Sequence, residues 1–193
     1  MSKDRVPIVA AMTARAFLDE PLLRWPLGDV PDPLAAIESE FIGVETVAAE
    51  CGCLWEAGDA IGAASWIRPD AARRFWDETA TGSVGRGIAA HAEDRGRRNR
   101  LLWEWSDGHY TDEPTWFLAT VGVDPPRQGG GVGSLLIEHG LRFAREQGLP
   151  ATLETSNPQL VGYYERFGFA VTDEEDAPDG GPHVWFMRFP VGV

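Results

Sequence analysis

Between residues 124 and 134 the chain reads Asp124-Pro125-Pro126-Arg127-Gln128-Gly129-Gly130-Gly131-Val132-Gly133-Ser134. A nearly continuous apolar run, Phe117 to Val123, precedes it, and Leu135, Leu136, Ile137, His139, Leu141, Phe143 and Ala144 follow in helical register. Strand, glycine loop and helix in that order leave the first helical N–H groups unpaired and pointing into the loop mouth. Gly131 and Gly133 have no Cβ, so the backbone can take unusual φ/ψ and a phosphate can approach it closely. The chemistry on offer is anion binding. The same glycines would also suit a tight turn that only packs helix on strand, because glycine-rich loops are a weak signal. A dinucleotide site is the competitor, but Ser134 stands where the third glycine of that fingerprint is wanted, and Pro125-Pro126 lengthens the connection.

Composition narrows the partners. With 193 residues, 44% hydrophobic and 24% charged, the chain suits one globular domain spanning 1–193, which removes roughly 70% of its unfolded surface from water and needs no disulfide or structural metal. A formal charge of −13 repels nucleic acid and anionic membrane and draws in cationic small molecules. Lys3 is the sole lysine among seventeen basic residues, which excludes a lysine-dependent phosphate loop and a Schiff-base enzyme of ordinary layout. Cys51 and Cys53 are too close in sequence for an easy bridge and read as small buried groups. His91, His109, His139 and His183 are dispersed, so no metal is expected. The opening residues lack an apolar signal core, and no stretch approaches ~18 apolar residues, so a cytoplasmic protein is expected, monomer or homodimer.

The elements follow from periodicity and punctuation. A first helix runs from the Asp4-Pro7 entry to about Leu18, a short piece covers Leu22 to Leu27, and Asp32-Pro33 opens a long helix to Gly52. Cys53 to Glu56 and Ala60 to Ile67 read as a hairpin ending at Pro69. Residues 70–108 read as two helices broken at Thr81-Gly82-Ser83, with the Arg95, Arg97, Arg98 and Arg100 run as a solvated face. After the Phe117 to Val123 strand and the loop helix come a strand at Ala151 to Thr155 and a helix from Pro158 closed by Gly168. A strand pair, Phe169 to Thr172 and Val184 to Phe189, ends the chain.

The Gln128-x-x-Gly131-x-Gly133 loop and the later Tyr164-Glu165-Arg166-Phe167-Gly168-Phe169 stand in the order and spacing of two motifs of one family. From about Val121 to Phe169 the chain resembles the acyl-CoA-binding half of the GNAT family of N-acetyltransferases. The resemblance implies an α/β fold with a mixed, mostly antiparallel sheet flanked by helices. It also implies acetyl-CoA as co-substrate and transfer of acetyl to an amine. Residues 1–112 would then form mainly the acceptor side and 113–193 mainly the acetyl-CoA side. The family opens with a strand ahead of its first helix; here the Asp4-Pro7 entry comes first, so strand one is expected to be absent or the start placed too late. Phrases such as Glu113 to Val123 and Tyr164 to Thr172 are similar to family members that inactivate an aminonucleoside antibiotic. That implies antibiotic resistance and a small primary amine as acceptor, a puromycin-like aminonucleoside in the sharpest form. A polyamine, an amino acid, a protein N-terminus, or a non-catalytic acyl-CoA-binding module are the alternatives.

On this resemblance, Val121, Gly122, Val123, Arg127, Gln128, Gly129, Gly130, Gly131, Val132, Gly133, Ser134, Asn157 and Tyr164 would bind the cofactor. Backbone N–H groups would dominate the phosphate contacts, since only Arg127 offers adjacent charge. The strand would bulge and splay, presenting the N–H of Val121 or Val123 to the thioester oxygen, with Gly122 as the bulge or as a plain packed glycine. Tyr164 would act as general acid toward the leaving sulfur, with Tyr163 as the alternative. Asn157 would bond the pantetheine amide or serve as an N-cap. Glu154 would relay a proton or hold an ammonium acceptor, or be an ordinary strand residue. Trp25, Trp66 and Trp116 would offer an aromatic cleft to the substrate or sit in the core, with at most one of them touching it. Asp19 and Glu20 would attract a cationic amine or only cap.

Overall fold

The computed structural model describes residues 3–50, 53–80, 82–94, 96–110 and 113–191. Pro7 sits in the first turn of helix α1 (Val6–Ala16), where its missing N–H costs nothing, and Val6, Val9, Ala10, Met12 and Thr13 turn inward. Helix α2 (Pro21–Leu27) is short, and α3 (Pro33–Glu50) is entered through Asp32, whose carboxylate accepts from the Ala35 amide at 3.0 Å. No strand precedes α1 among the described residues.

Strands β1 (Leu54–Ala57) and β2 (Gly62–Ile67) form the expected hairpin. Three helices rather than two follow: α4 (Ala72–Ala80), α5 (Ser83–His91) and α6 (Arg97–Asp107). The second break falls at Gly96, held at φ +77, a conformation that ends helical register and that sequence periodicity does not reveal. Arg97 pairs with Asp179 at 2.7 Å on the surface, and Arg98 lies over Trp25; Arg95, like Cys51, lies outside the described residues. Cys53 is buried.

The second half alternates strand and helix: β3 (Trp116–Val123), α7 (Val132–Gln147), β4 (Ala151–Thr155), α8 (Pro158–Glu165), β5 (Ala170–Asp176) and β6 (His183–Phe189). One six-stranded sheet results, in the order β1-β2-β3-β4-β6-β5, antiparallel except for β3 beside β4. Helices cover both faces. Trp66 packs so tightly on Gly140 of α7 that a Cβ there would lie 2.1 Å from its ring, while Gly122 on the opposite face meets Thr13 and Ala16 of α1 and the Phe17 that follows them.

Two irregularities in β3 shape the site. Ser65 faces Thr120 but Trp66 faces Leu118, so Ala119 is an extra residue in β3. The bulge therefore lies at Ala119, not at Gly122, whose lack of a side chain serves the approach of α1. The parallel pairing of β3 with β4 is confined to Trp116 with Ala151 and Phe117 with Thr152. Beyond these pairs the two strands separate, and the gap opens at their carboxyl ends, where parallel strands present ligand sites.

Candidate active site

Loop residues 124–131 leave β3 and enter α7 through Gly131 at φ +82, with Gly129 also left-handed at φ +79. A Cβ at either position would meet nothing within 4 Å, so both glycines border open space. No described acceptor takes the amides of Gly129 to Ser134; the first helical bond runs from Leu135 to the Gly131 carbonyl. Six free N–H groups at the positive end of a helix can hold a pyrophosphate. Gln128 braces this loop, donating from Nε2 to the Val123 carbonyl at 3.1 Å. Arg15 anchors its start to α1 through Asp124, Nη2 to Oδ1 at 2.7 Å.

The Asp124 amide donates to Ile61 on the β2 side. By the two-residue period of a strand, the Gly122 amide faces β2 as well, whereas Val121 and Val123 direct theirs into the gap beside β4. A cleft of about 630 Å³ runs from the loop into this gap, lined by Val121, Gly122, Val123, Arg127, Gln128, Gly129, Gly131, Val132, Gly133, Ser134, Asn157 and Tyr164. Of the thirteen cofactor positions expected from sequence, Gly130 alone does not face it. Asn157 caps α8, its Oδ1 accepting from Gln159 N at 3.0 Å, and its side-chain nitrogen donates to no described residue. Tyr163 reaches back to Ser134, hydroxyl to hydroxyl at 3.2 Å, and so ties α8 to the loop helix.

A second, deeper cavity of about 120 Å³ lies behind the first and shares Phe17, Glu20, Val121, Leu160 and Tyr164 with it. Its walls are mostly apolar, with Phe41, Phe75, Trp103, Phe117 and Leu153 among them. Tyr164 stands at the junction with its hydroxyl bonded to no described residue. Burial, with smaller contributions from Tyr163 and Glu20, pushes this phenol above its ordinary range, so it keeps its proton at neutral pH. Glu154 faces the inner cavity with Oε2 accepting from Ser106 at 2.6 Å and Tyr110 at 3.1 Å. Burial raises this carboxyl, and the two hydrogen bonds pull it partly back.

The expected aromatic cleft is elsewhere. Trp66 is wholly buried under α7, Trp116 is 3% exposed with Nε1 on Gln147, and Trp25 packs in a side cluster beneath Arg98. None lines either cavity, because both indoles on β2 and β3 fill the interior and α2 turns Trp25 away. Asp19 lines neither cavity; Glu20 lines both and accepts from the Ser156 hydroxyl. Sequence reading missed Glu40, buried on α3 with no bonding partner among the described residues, and Glu45, buried against Thr13 and Ser65. Acids at inward positions of an otherwise apolar helix stripe were the available signal. Among the described residues no group of His, Cys, Asp and Glu could hold a metal, and no helix is long and apolar enough to cross a membrane.

Comparison with known proteins agrees with this architecture. A peptidyl-lysine N-acetyltransferase of Salmonella typhimurium, YjaB, is 36% identical over 77 residues, 36% of this chain and 52% of that one. A mycothiol acetyltransferase of Streptosporangium roseum is 37% identical over 83 residues, 39% of this chain and 25% of that one. The chain thus spans about half, or less, of the length of these curated relatives. A solved structure from Corynebacterium glutamicum, titled histone acetyltransferase HPA2 and related acetyltransferase, superposes over 100% of this chain and 94% of its own. Its TM-score is 0.68 at 21% identity, a likeness of fold. These relatives bear peptidyl-lysine and mycothiol names, not an aminonucleoside one, so the narrower resemblance and a role in antibiotic resistance gain no support. The model of the acetyltransferase (GNAT) family matches residues 54–169, from β1 past the end of α8 and more than half the chain, and the chain belongs to that family.

Proposed function

We propose that this protein transfers an acetyl group from acetyl-CoA to a primary amine of a small molecule. The acetyl-CoA would lie in the outer cleft, held mainly by residues 113–193, and the amine would reach it from the inner cavity, to which residues 1–112 contribute Phe17, Glu20 and side chains of α2, α3, α4 and α6. One observation carries this reading: the two cavities meet where the Val121 strand edge and the Tyr164 hydroxyl both face the gap.

Bound acetyl-CoA supplies an activated acetyl group. The amides of Gly129 to Ser134 hold its pyrophosphate, with Asn157 free to donate from its side-chain nitrogen along the pantetheine arm. The amides of Val121 and Val123 offer fixed donors to an oxygen that gains negative charge, with no reorganisation at the moment of reaction. Tyr164 donates its proton toward the departing sulfur and recovers one as the acceptor nitrogen sheds its own. The acceptor enters as an ammonium and must lose one proton before attack and a second as the N–C bond forms. Glu154, held by Ser106 and Tyr110, is the carboxylate from β4 placed to relay the first.

The inner cavity is somewhat smaller than one of about 150 Å³ that accommodates benzene. A puromycin-like aminonucleoside would enter only by one end, and a lysine side chain, the target in the name of the Salmonella relative, would have to thread the same space. The test is release of free thiol from acetyl-CoA with alkyl amines, an aminonucleoside and a lysine peptide as acceptors, alongside calorimetry of acetyl-CoA binding. Turnover greatest on small amines is expected. Faster transfer to the peptide would overturn the acceptor class, and tight acetyl-CoA binding without transfer to any acceptor would make the protein an acyl-CoA-binding module.

A further inference from the structure

Three carboxyl groups line the inner cavity, and two of them are satisfied by the protein: Glu154 by Ser106 and Tyr110, Glu20 by Ser156. The third, Glu40, is 4% exposed, accepts from no described residue and borders an otherwise apolar space. A buried carboxyl without a partner is destabilising, so an apolar residue there would serve the fold better. Glu40 lines the inner cavity only and is not among the five residues shared with the outer cleft, so it would face a part of the acceptor other than the reacting nitrogen.

We propose that Glu40 holds a second ammonium group, and that the acceptor is a short unbranched α,ω-diamine with one nitrogen at the Tyr164 junction and the other on Glu40. The inference rests on the amine-acetylation reading and narrows its substrate class. Volume suits a short chain: a cavity of about 120 Å³, somewhat smaller than one accommodating the six carbons of benzene, has room for about four methylenes and the distal nitrogen. The apolar walls match the methylenes, and the strongly negative chain favours approach of a dication. A monoamine or a lysine side chain would leave Glu40 as unpartnered as it is now. Burial alone pushes the Glu40 carboxyl up to about 8, and an adjacent ammonium would bring it back into the ionised form.

The experiment compares 1,4-diaminobutane with 1-aminobutane as acceptors for the wild-type chain, Glu40→Gln and Glu40→Leu, following thiol release and, separately, amine binding by calorimetry with acetyl-CoA present. The wild type should favour the diamine by about tenfold or more in kcat/KM. Both variants should lose most of that preference through KM, and Glu40→Leu should melt no lower than the wild type, which excludes misfolding as the cause. A diamine-to-monoamine ratio that is the same in all three proteins overturns the proposal. Diamine that binds the wild type but not Glu40→Leu, with neither amine acetylated, upholds the Glu40 site and overturns acyl transfer instead. Equal calorimetric binding of the diamine to wild type and Glu40→Leu, or none to either, overturns the Glu40 site whatever the transfer assay shows.

Discussion

Around the outer cleft the binding groups are main-chain amides from one contiguous stretch, Gly129 to Ser134, fixed by two left-handed glycines and a helix start. Around the inner cavity they are side chains brought from the Phe17–Glu20 turn, α2, α3, α4, α6, β3, β4 and α8. In the proposed reading the first region would recognise a phosphate, a group common to many ligands, and would need only local geometry. The second would have to distinguish one amine from another, with carboxyl groups whose states depend on burial. Replacing the side chain at the boundary should therefore stop chemistry without loosening the cleft. The sharpest break is Tyr164→Phe, which removes the hydroxyl at the junction while keeping the ring packed against Phe169. Turnover should fall by about 10²–10⁴ with acetyl-CoA affinity nearly intact. Stopped-assay rates and calorimetry on the same preparation check both halves, and a parallel loss of affinity would show that Tyr164 only packs.

A second contrast is in the response to pH. The loop amides do not titrate, whereas burial raises Glu40 to about 8 and Glu45 to about 7 from an ordinary 4.5. The folded chain then binds more protons than the unfolded chain between about pH 4.5 and 8, so stability from this source is complete at the acid end and is lost as pH rises. Thermal melts from about pH 5 to 9 should show a decline on the order of 6 kcal/mol, less than half as large in Glu40→Gln. Equal slopes in the two proteins would mean that Glu40 is ionised in the fold.

This division also explains what the sequence disclosed. Gln128, Gly131 and Gly133 announce the loop because its function is carried by consecutive residues, and the strand, loop and helix around it stand where expected. The extra residue at Ala119 was legible only as some irregularity near Gly122, because a bulge depends on the register of β2 against β3. The acceptor side was misread for a related reason. Trp66 is attractive as a ligand-facing aromatic until Gly140 is seen to leave a hollow for it on α7, and that pairing joins positions 74 apart in sequence. Glu40 is one acid among thirty in the chain, and only the packing of α3 makes it exceptional.

Within the cleft, Gly131→Val tests whether backbone conformation does the binding. No protein atom lies within 4 Å of the new Cβ, so the effect comes from φ +82 alone, a strain of roughly 1–2 kcal/mol for a residue with a side chain. The loop should rearrange rather than the fold fail, with acetyl-CoA affinity down about tenfold and the melting temperature little changed. Unaltered affinity would place the phosphate grip outside this loop.

Arg127 gives the smallest effect and the finest discrimination. Among the described residues it is the cation within the loop itself, it is exposed, and it lines the cleft, as does the exposed Arg166 just after α8. If amides carry the grip, its charge adds only a screened surface interaction, about 0.2–1 kcal/mol, and Arg127→Ala should weaken acetyl-CoA by no more than about fivefold. The same logic sets the salt response: neutral donors and a helix end lose little on screening, so the KM for acetyl-CoA should change only a few-fold between about 0.05 and 0.5 M salt. A steep salt dependence that disappears in Arg127→Ala would reverse the comparison, making the outer cleft a charge-built site like the inner one.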